Sequence, residues 1–279
     1  MENSPTTAAH VFDAAIALLP QGGDNTTGHT TGHTSPAYGN MVGPFGGAIG
    51  ATLLNAIMLH PARLGDPLSL TVHFAAPIAD GAFSVHARAM RTNRSTQHWL
   101  VELRQDEQVA AFATAITAVR RDTWSDTDAD FPLAPPPGNV AQAPAHPRAA
   151  WTGCYEMRFI TGMPDPVQSE TGGHPSETRL WIRDQPPRPL DFLSLAAICD
   201  AFFPRIFLRR SQWTPAGTVA LTTYFHADAA QLGAQGDAHL LGVARGLRYG
   251  KGFFDQSAEI WTASGALLAT SHQVVYFKG

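Results

Sequence analysis

Cysteine is scarce in this chain: Cys154 and Cys199 are the only two among 279 residues. Two cysteines exclude a disulfide framework and a four-cysteine zinc site. Charge is scarce as well, since charged residues make up 15% of the chain, against about 25% in an ordinary soluble domain. The formal net charge is −4 and no run of five basic residues occurs. The sequence offers nothing that would bind a nucleic-acid backbone, so we expect no nucleic-acid partner.

Targeting and membrane signals are missing too. The first residues have neither the positive start nor the apolar run of a signal peptide. The longest uncharged stretch, residues 41–59, contains Pro44, Asn55 and four glycines, which suits a buried helix better than a membrane-spanning one. Apolar residues make up 44% of the chain, enough for a sizeable core. We expect a cytoplasmic protein with no membrane span.

A proline-rich segment divides the chain into two halves of similar size. Six of the 16 residues from 132 to 147 are proline, a density that is incompatible with a helix interior or a central strand. We therefore predict a linker over residues 121–150. It separates an N-terminal domain, residues 1–120, from a C-terminal domain, residues 151–279.

The two halves resemble each other in sequence. Aligning Pro44 with Pro189 matches two apolar segments, and proline near the start of each is typical of a helix N-terminus. The same alignment places Asn55 on Asp200 without a gap. The sequence therefore predicts a duplication in which each half begins with a long helix.

Strand patterns follow the helix in both halves. The β-branched and aromatic residues at 70–74 match those at 221–225, which puts Thr71 on Thr222. Each half then continues as a hairpin and a last strand, predicted at 85–91, 95–104 and 109–119 and again at 239–248, 253–262 and 266–277. This pattern predicts an α+β double hotdog, in which two repeats each have a long helix wrapped by a curved antiparallel sheet.

Asp200 is the one charged residue in the run from 192 to 204. A carboxylate on a buried helix is costly unless it is hydrogen-bonded or used, and burial raises its pKa toward the range useful for a general base. The alternative is a structural role, in which Asp200 caps a backbone group or faces solvent at the helix end. Its repeat partner is the amide Asn55, and this asymmetry favours a function for Asp200.

Six short motifs, two in the first half and four in the second, carry a resemblance to a known family. They are Pro44-Phe45-Gly46-Gly47, residues 66–74, Ile-Cys-Asp-Ala-Phe at 198–202, residues 221–226, residues 244–250 and residues 265–273. Together they resemble the type II acyl-CoA thioesterases, which are double-hotdog hydrolases, and their thioesterase-like relatives. The resemblance covers most of residues 38–119 and 188–277.

The resemblance implies hydrolysis of an acyl-CoA to a free acid and coenzyme A, in fatty acid metabolism. The family uses an Asp, a Ser/Thr and a Gln to activate water, and these become Asp200, Thr222 and Gln273 here. The carboxylate would accept the water proton, while the hydroxyl and the amide would fix the water. Coenzyme A enters as part of the substrate, and we expect no separate cofactor and no metal. Whether the equivalent first-half residues, Asn55 and Thr71, bind a ligand is open.

Candidate substrate-binding residues lie outside this trio. Gly46 and Gly47 would let a thioester carbonyl approach a helix N-terminus, whose amides favour negative charge. Arg245, Arg248 and Lys251 form a basic cluster suited to the phosphates of coenzyme A, or else solvated hairpin charges. We expect the acyl chain in an apolar tunnel between sheet and helix. A homodimer is compatible with the sequence, which does not fix the assembly state.

Departures from the family pattern keep other functions open. Ala48 stands where the family has a polar residue after Gly-Gly, and Val274-Val275 stand where it shows Glu-Gly. Loss of chemistry would leave a non-catalytic acyl-thioester or lipid-binding protein, whereas a hotdog hydratase or dehydratase would need an Asp–His pair in one cleft. His29 and His33 would share one face of a strand, but no third metal ligand lies at suitable spacing.

Overall fold

A computed structural model of the chain describes residues 9–164, 175–210 and 214–278. Thirteen strands and five α-helices lie within those residues. The strands of the first half are β1 (Leu19–Gly23), β2 (Thr27–His33), β3 (Asp66–Phe74), β4 (Ala82–Thr92), β5 (Thr96–Gln105) and β6 (Gln108–Ala118). Those of the second are β7 (Tyr155–Thr161), β8 (Thr178–Asp184), β9 (Ala216–Phe225), β10 (Leu240–Arg245), β11 (Tyr249–Gly250), β12 (Phe253–Thr262) and β13 (Leu267–Phe277). The helices are α1 (Val11–Ala15), α2 (Gly46–Met58), α3 (Phe192–Ile198), α4 (Ile206–Arg210) and α5 (Ala229–Gln235).

The strands form one antiparallel sheet whose order repeats. That order is β1-β2-β4-β5-β6-β3-β9-β13-β12-β10-β8-β7, with β11 paired to β12 alone. From each edge toward the centre, β1 corresponds to β7, β2 to β8, β4 to β10, β5 to β12, β6 to β13 and β3 to β9. At the centre, Thr71 on β3 lies opposite Thr222 on β9, and their Oγ1 atoms are 3.0 Å apart. Equivalent residues face each other in this way across a two-fold axis, so the aligned halves meet as the duplication predicts.

The long helix predicted in the first half is α2. It starts two residues after Pro44, ten of its 13 residues are buried, and it packs against β4, β5, β6 and α3. The buried apolar side chains on this face of the sheet form one cluster that runs through both halves. None of the helices in the described ranges is long and apolar enough to cross a membrane.

The second half differs from the prediction because α3 is only seven residues long. The side chain of Asp191 accepts a hydrogen bond from the backbone N–H of Ser194 and so caps the start of the helix. After Ile198 the chain tightens, since the amide of Asp200 bonds only three residues back. Pro204 then disfavours helical geometry at the residue before it, so the predicted long second helix does not form.

Part of the proline-rich segment covers the face of the sheet that is turned away from α2 and α3. Within residues 121–149 the chain has no strand and a single 3₁₀ turn. Trp181 and Trp261 are buried on that face against Val140, and the indole N–H of Trp181 donates to the carbonyl of Pro135 at 2.8 Å. The segment therefore packs as part of the second half, while the domain boundaries drawn from the sequence stay a prediction.

Candidate active site

Asp200 lies just past the end of α3, one residue beyond the helix C-cap Cys199, and 9% of its surface is exposed. Its carboxylate accepts a hydrogen bond from the backbone N–H of Gly47, at the start of α2. Amides at a helix N-terminus have no intrahelical partner and carry partial positive charge, which suits a carboxylate. A side chain of the second half thus rests on a helix of the first.

Gln273, an inward-facing residue of β13, holds the same carboxylate from the other side. Its Nε2 donates to Oδ1 of Asp200 at 3.0 Å, and its Oε1 accepts from Oγ1 of Thr218 at 3.0 Å. Both ends of the amide are fixed, because an ionised carboxylate can only accept a hydrogen bond. The structure therefore brings together Asp200 and Gln273, as predicted, and adds Thr218 to them.

Thr222, the third residue predicted for this site, is not brought to it. Its side chain lies on the opposite face of β9, where its hydroxyl meets that of Thr71. The register between β13 and β9 shifts between Val274 and Val275, and a one-residue bulge changes which side chains face the core. Counting every second residue places Thr218 and Thr222 on one face, so sequence alternation alone does not separate them.

Gly46 and Gly47 make room for the carboxylate and for α3. A Cβ on Gly46 would lie 2.6 Å from Oδ2 of Asp200, and one on Gly47 would lie 2.5 Å from the carbonyl oxygen of Ala197. The sequence predicts that these glycines admit a thioester carbonyl. In the structure the space that they leave is taken by the side chain of Asp200 and by the backbone of α3.

Burial dominates the electrostatics of Asp200. It raises the pKa of this carboxyl to about 7, while the hydrogen bonds from Gln273 and Gly47 act in the opposite direction. A general base works best when its pKa lies near the working pH, so this carboxyl is suited to accept a proton at neutral pH. Burial also raises the pKa of the neighbouring Cys199 to about 12, which keeps it a thiol and not a nucleophilic thiolate.

A small cavity lined by Asp200 adjoins a larger one. The smaller, of about 90 Å³, is lined by Asp200 and by polar and apolar neighbours. The larger, of about 760 Å³, is mostly apolar, and its walls come from residues 143–148 of the proline-rich segment, from β7 and from α4. Met41, Phe203 and Ala216 line both. This location differs from the tunnel between sheet and helix that the sequence predicts.

The predicted basic cluster lies apart from both cavities. Arg245, Arg248 and Lys251 are exposed at the end of β10 and in the hairpin that follows, and none of them lines either cavity. Their contact with coenzyme A stays a prediction. Ala48, the departure noted in the sequence, is buried in the core at 5% exposure and lines neither cavity.

The first-half counterpart of the site is closed by the chain itself. The side-chain amide of Asn55 donates to the carbonyl of Ile16 at 2.9 Å, and Phe12 and Ile16 are buried in the core beside it. His29 and His33 are exposed on β2. In the described ranges no group of three His, Cys, Asp or Glu residues could hold a metal ion.

Gln256 is a site residue that sequence reasoning missed. It lines the smaller cavity and lies directly opposite Gln273 in the pairing of β12 with β13. Its neighbours two residues away, Phe254 and Ala258, are buried, so the alternation of β12 carried a signal: a polar residue on a core-facing strand position.

Comparison with known proteins gives the family. The family models for the acyl-CoA thioesterase C-terminal and N-terminal domains match residues 128–277 and 35–118. A hot dog fold protein of unknown function from Alicyclobacillus acidocaldarius is 45% identical over 98% of this chain and 99% of its own, with a TM-score of 0.89. Acyl-CoA thioesterase II of Mycobacterium marinum has the same fold at 18% identity over 96% of this chain and 98% of its own, with a TM-score of 0.73. No curated protein matches. The chain belongs to the acyl-CoA thioesterase family and has a hot dog fold.

Proposed function

We propose that the protein is an acyl-CoA thioesterase that hydrolyses an acyl-CoA to a free acid and coenzyme A. The observation that carries the proposal is the hydrogen-bonded chain of Asp200, Gln273 and Thr218, which lines a small cavity that adjoins a large apolar one. The family supplies the substrate class. The repeated strand order also supports a double hotdog, in which the two repeats pack as a pseudo-dimer.

The proposed reaction is a direct attack of water on the thioester carbonyl. Asp200 accepts a proton as the water oxygen bonds to the carbonyl carbon. Gln273 fixes one carboxylate oxygen and is itself fixed by Thr218, so the base does not have to be ordered during the reaction. The C–S bond then breaks and the proton passes to the leaving sulfur, which gives the acid and the thiol of coenzyme A.

The larger cavity is the proposed site of the acyl group. Its volume of about 760 Å³ falls within the range of pockets that bury a ligand of drug-like size. Met157, Phe159 and Phe207 give it an apolar wall, and apolar burial would supply the affinity for an acyl chain. The coenzyme would then extend outward from the smaller cavity.

The hydratase alternative finds no support in this geometry. That reaction would need a histidine beside the aspartate, and none of the described residues that line the smaller cavity is a histidine. The non-catalytic alternative rests on Ala48, whose side chain lies in the core and away from the cavities. Both alternatives remain distinguishable by experiment.

Thiol release from a panel of short, long, branched and aromatic acyl-CoAs tests the proposal. We expect turnover by the wild type and a loss of about 10²-fold or more in Asp200→Asn, because general-base catalysis is worth roughly that much. Circular dichroism checks that the variant is folded. Saturable acyl-CoA binding without thiol release would indicate a binding protein, and hydration of an enoyl-CoA without thiol release would indicate a hydratase.

Two variants test which threonine acts together with Asp200 and Gln273. Thr218→Val removes the hydroxyl that holds Gln273 and should slow turnover by about tenfold, the value of a hydrogen bond of roughly 1.4 kcal/mol. Thr222→Val removes a hydroxyl from the opposite face of the sheet and should turn over like the wild type. The reverse pattern would return the role to Thr222.

A further inference from the structure

Arg205 is a fully buried guanidinium. It follows Pro204 at the start of the turn into α4 and is 0% exposed. Its donors reach the carbonyls of Phe203 and Ser176, the hydroxyl of Thr178 and Oε1 of Gln256. Among the described residues no carboxylate forms an ion pair with it. Burial lowers its pKa to about 10, so it still carries a positive charge at neutral pH.

This guanidinium fixes the orientation of the Gln256 side chain. Nε of Arg205 donates to Oε1 of Gln256 at 3.0 Å, and because a guanidinium has no acceptor, the amide cannot flip its NH₂ group toward it. The Nε2 group is therefore turned away from Arg205, in a residue that lines the smaller cavity together with Asp200 and Gln273. No described residue accepts a hydrogen bond from it.

A buried glutamine in the other half shows what a purely structural role looks like. Gln97, 1% exposed on the corresponding strand β5, accepts from the amide of Leu64 and donates to the carbonyl of Ala62 and the hydroxyl of Thr92. Both N–H donors of that amide and its carbonyl oxygen have partners within the protein. Gln256, equally buried, keeps a donor for the cavity, and buried donors without a partner are rare unless a ligand or water completes them.

We infer that Nε2 of Gln256, held in place by Arg205, donates a hydrogen bond to the thioester carbonyl oxygen and stabilises the negative charge that develops there during water attack. The inference rests on the proposed function. The N–H of Gly47, predicted to serve the carbonyl, acts on the carboxyl of Asp200 instead, whereas Nε2 of Gln256 is free to serve the carbonyl. Gln256 is then a catalytic residue, and Arg205 a positioning residue that also polarises the amide through a charged hydrogen bond in a low-dielectric region.

Gln256→Met tests the donor, because it keeps the length of the side chain and removes the amide. We expect kcat to fall by about 10²- to 10³-fold with KM changed far less, as for the loss of one oxyanion donor. Gln256→Glu keeps an acceptor for Arg205, which protects the fold, and should lose kcat as well because a carboxylate cannot donate. Ser257→Ala changes the next residue of β12, on the opposite face, and should leave kcat as it is.

An infrared measurement reads the proposed contact directly. In the Asp200→Asn background the thioester persists, and the carbonyl band of the best substrate of the panel should lie at lower frequency than in Asp200→Asn with Gln256→Met. An equal band position, an unchanged kcat in Gln256→Met, or a rise in KM alone would overturn the inference. Any of these three outcomes would leave the proposed function standing, provided that the wild type releases thiol and Asp200→Asn does not. Absence of thiol release from every substrate would instead overturn the proposed function.

The positioning role of Arg205 is tested by coupling. Arg205→Met should lower kcat, and the double variant with Gln256→Met should lose little more, because both changes remove the same donor. A merely structural Arg205 would give kcat losses that multiply. Should Arg205→Met fail to fold, Arg205→Lys keeps the charge but not the planar fork, and its kcat should fall between those of the wild type and Gln256→Met. A wild-type kcat in Arg205→Lys would overturn the positioning role.

Discussion

At the scale of single residues, the buried carboxyl of Asp200, the proposed general base, would link activity and stability to pH. Burial raises its pKa to about 7, from roughly 3.9 in an unfolded chain, so the folded protein binds a proton that the unfolded chain has lost between about pH 4 and 7. Its contribution to stability is therefore present at low pH and lost as pH rises through 7. The ionised carboxylate that the proposed reaction needs forms over the same increase in pH.

We expect kcat of the wild type to increase with pH with a midpoint near 7. The Tm of the wild type relative to that of Asp200→Asn should decrease between about pH 4.5 and 8, because the variant lacks the titrating group. Rate profiles and thermal melts across this range check both expectations. A midpoint near 4 with parallel melting curves would show that the carboxyl is not perturbed.

The sequence was informative for Asp200 and less so for its partners. A lone charge in an apolar run can be seen without a structure, and the family resemblance located Gln273. Thr218 was missed because the pairing of β9 with β13 is irregular, and a bulge depends on how two distant strands are paired. The orientation of Gln256 depends on Arg205, which is 51 residues away in the chain.

At the scale of elements, the start of α2 is shaped by the carboxylate that it holds. A Cβ on Gly46 would lie 2.6 Å from Oδ2 of Asp200 and 3.1 Å from the ring of Phe74, so Gly46→Ala must displace the carboxyl of the proposed base. Gly50, in the same helix, is the matched control: a Cβ there would meet only Val72, at 3.6 Å. Alanine is favoured over glycine inside a helix by about 1 kcal/mol.

We expect Gly46→Ala to lose about tenfold or more of kcat, since small misplacements of catalytic groups are costly. Gly50→Ala should stay active and melt at an equal or higher temperature. Thiol-release rates and thermal melts of the two variants provide the comparison. Equal rates would mean that Asp200 can shift without consequence for the reaction.

The elements themselves were predicted with uneven success, for physical reasons. The strands and hairpins follow alternation and turn residues, which are local, and β4, β5, β6, β12 and β13 lie where the sequence predicts them. The length of α3 was not predicted, because the helix gives way to a tight turn that places Asp200 against α2. The repeat suggested equal helices, whereas α2 has 13 residues and α3 has seven.

At the scale of the whole molecule, the contacts between the two halves lead us to expect that they unfold together. β3 and β9 pair in the middle of one sheet, the apolar cluster is continuous through both halves, and Gly47 lets α2 approach the backbone of α3. Arg120, just before the proline-rich segment, adds hydrogen bonds to the carbonyls of Pro67 in one half and Phe225 in the other. Losing either half would expose a central strand edge and half of the core.

Calorimetry should therefore show a single unfolding transition whose calorimetric and van't Hoff enthalpies agree, although chains of this length often unfold domain by domain. Gly47→Ala provides a sharper form of the same test. Its Cβ would lie 2.5 Å from the carbonyl oxygen of Ala197, so it should push α2 and α3 apart and lower the one transition without splitting it. Two resolved transitions, in the wild type or in the variant, would show that each half holds its own structure. The proposed active site, which takes Asp200 from one half and Gly47 from the other, would then form only when two stable units dock.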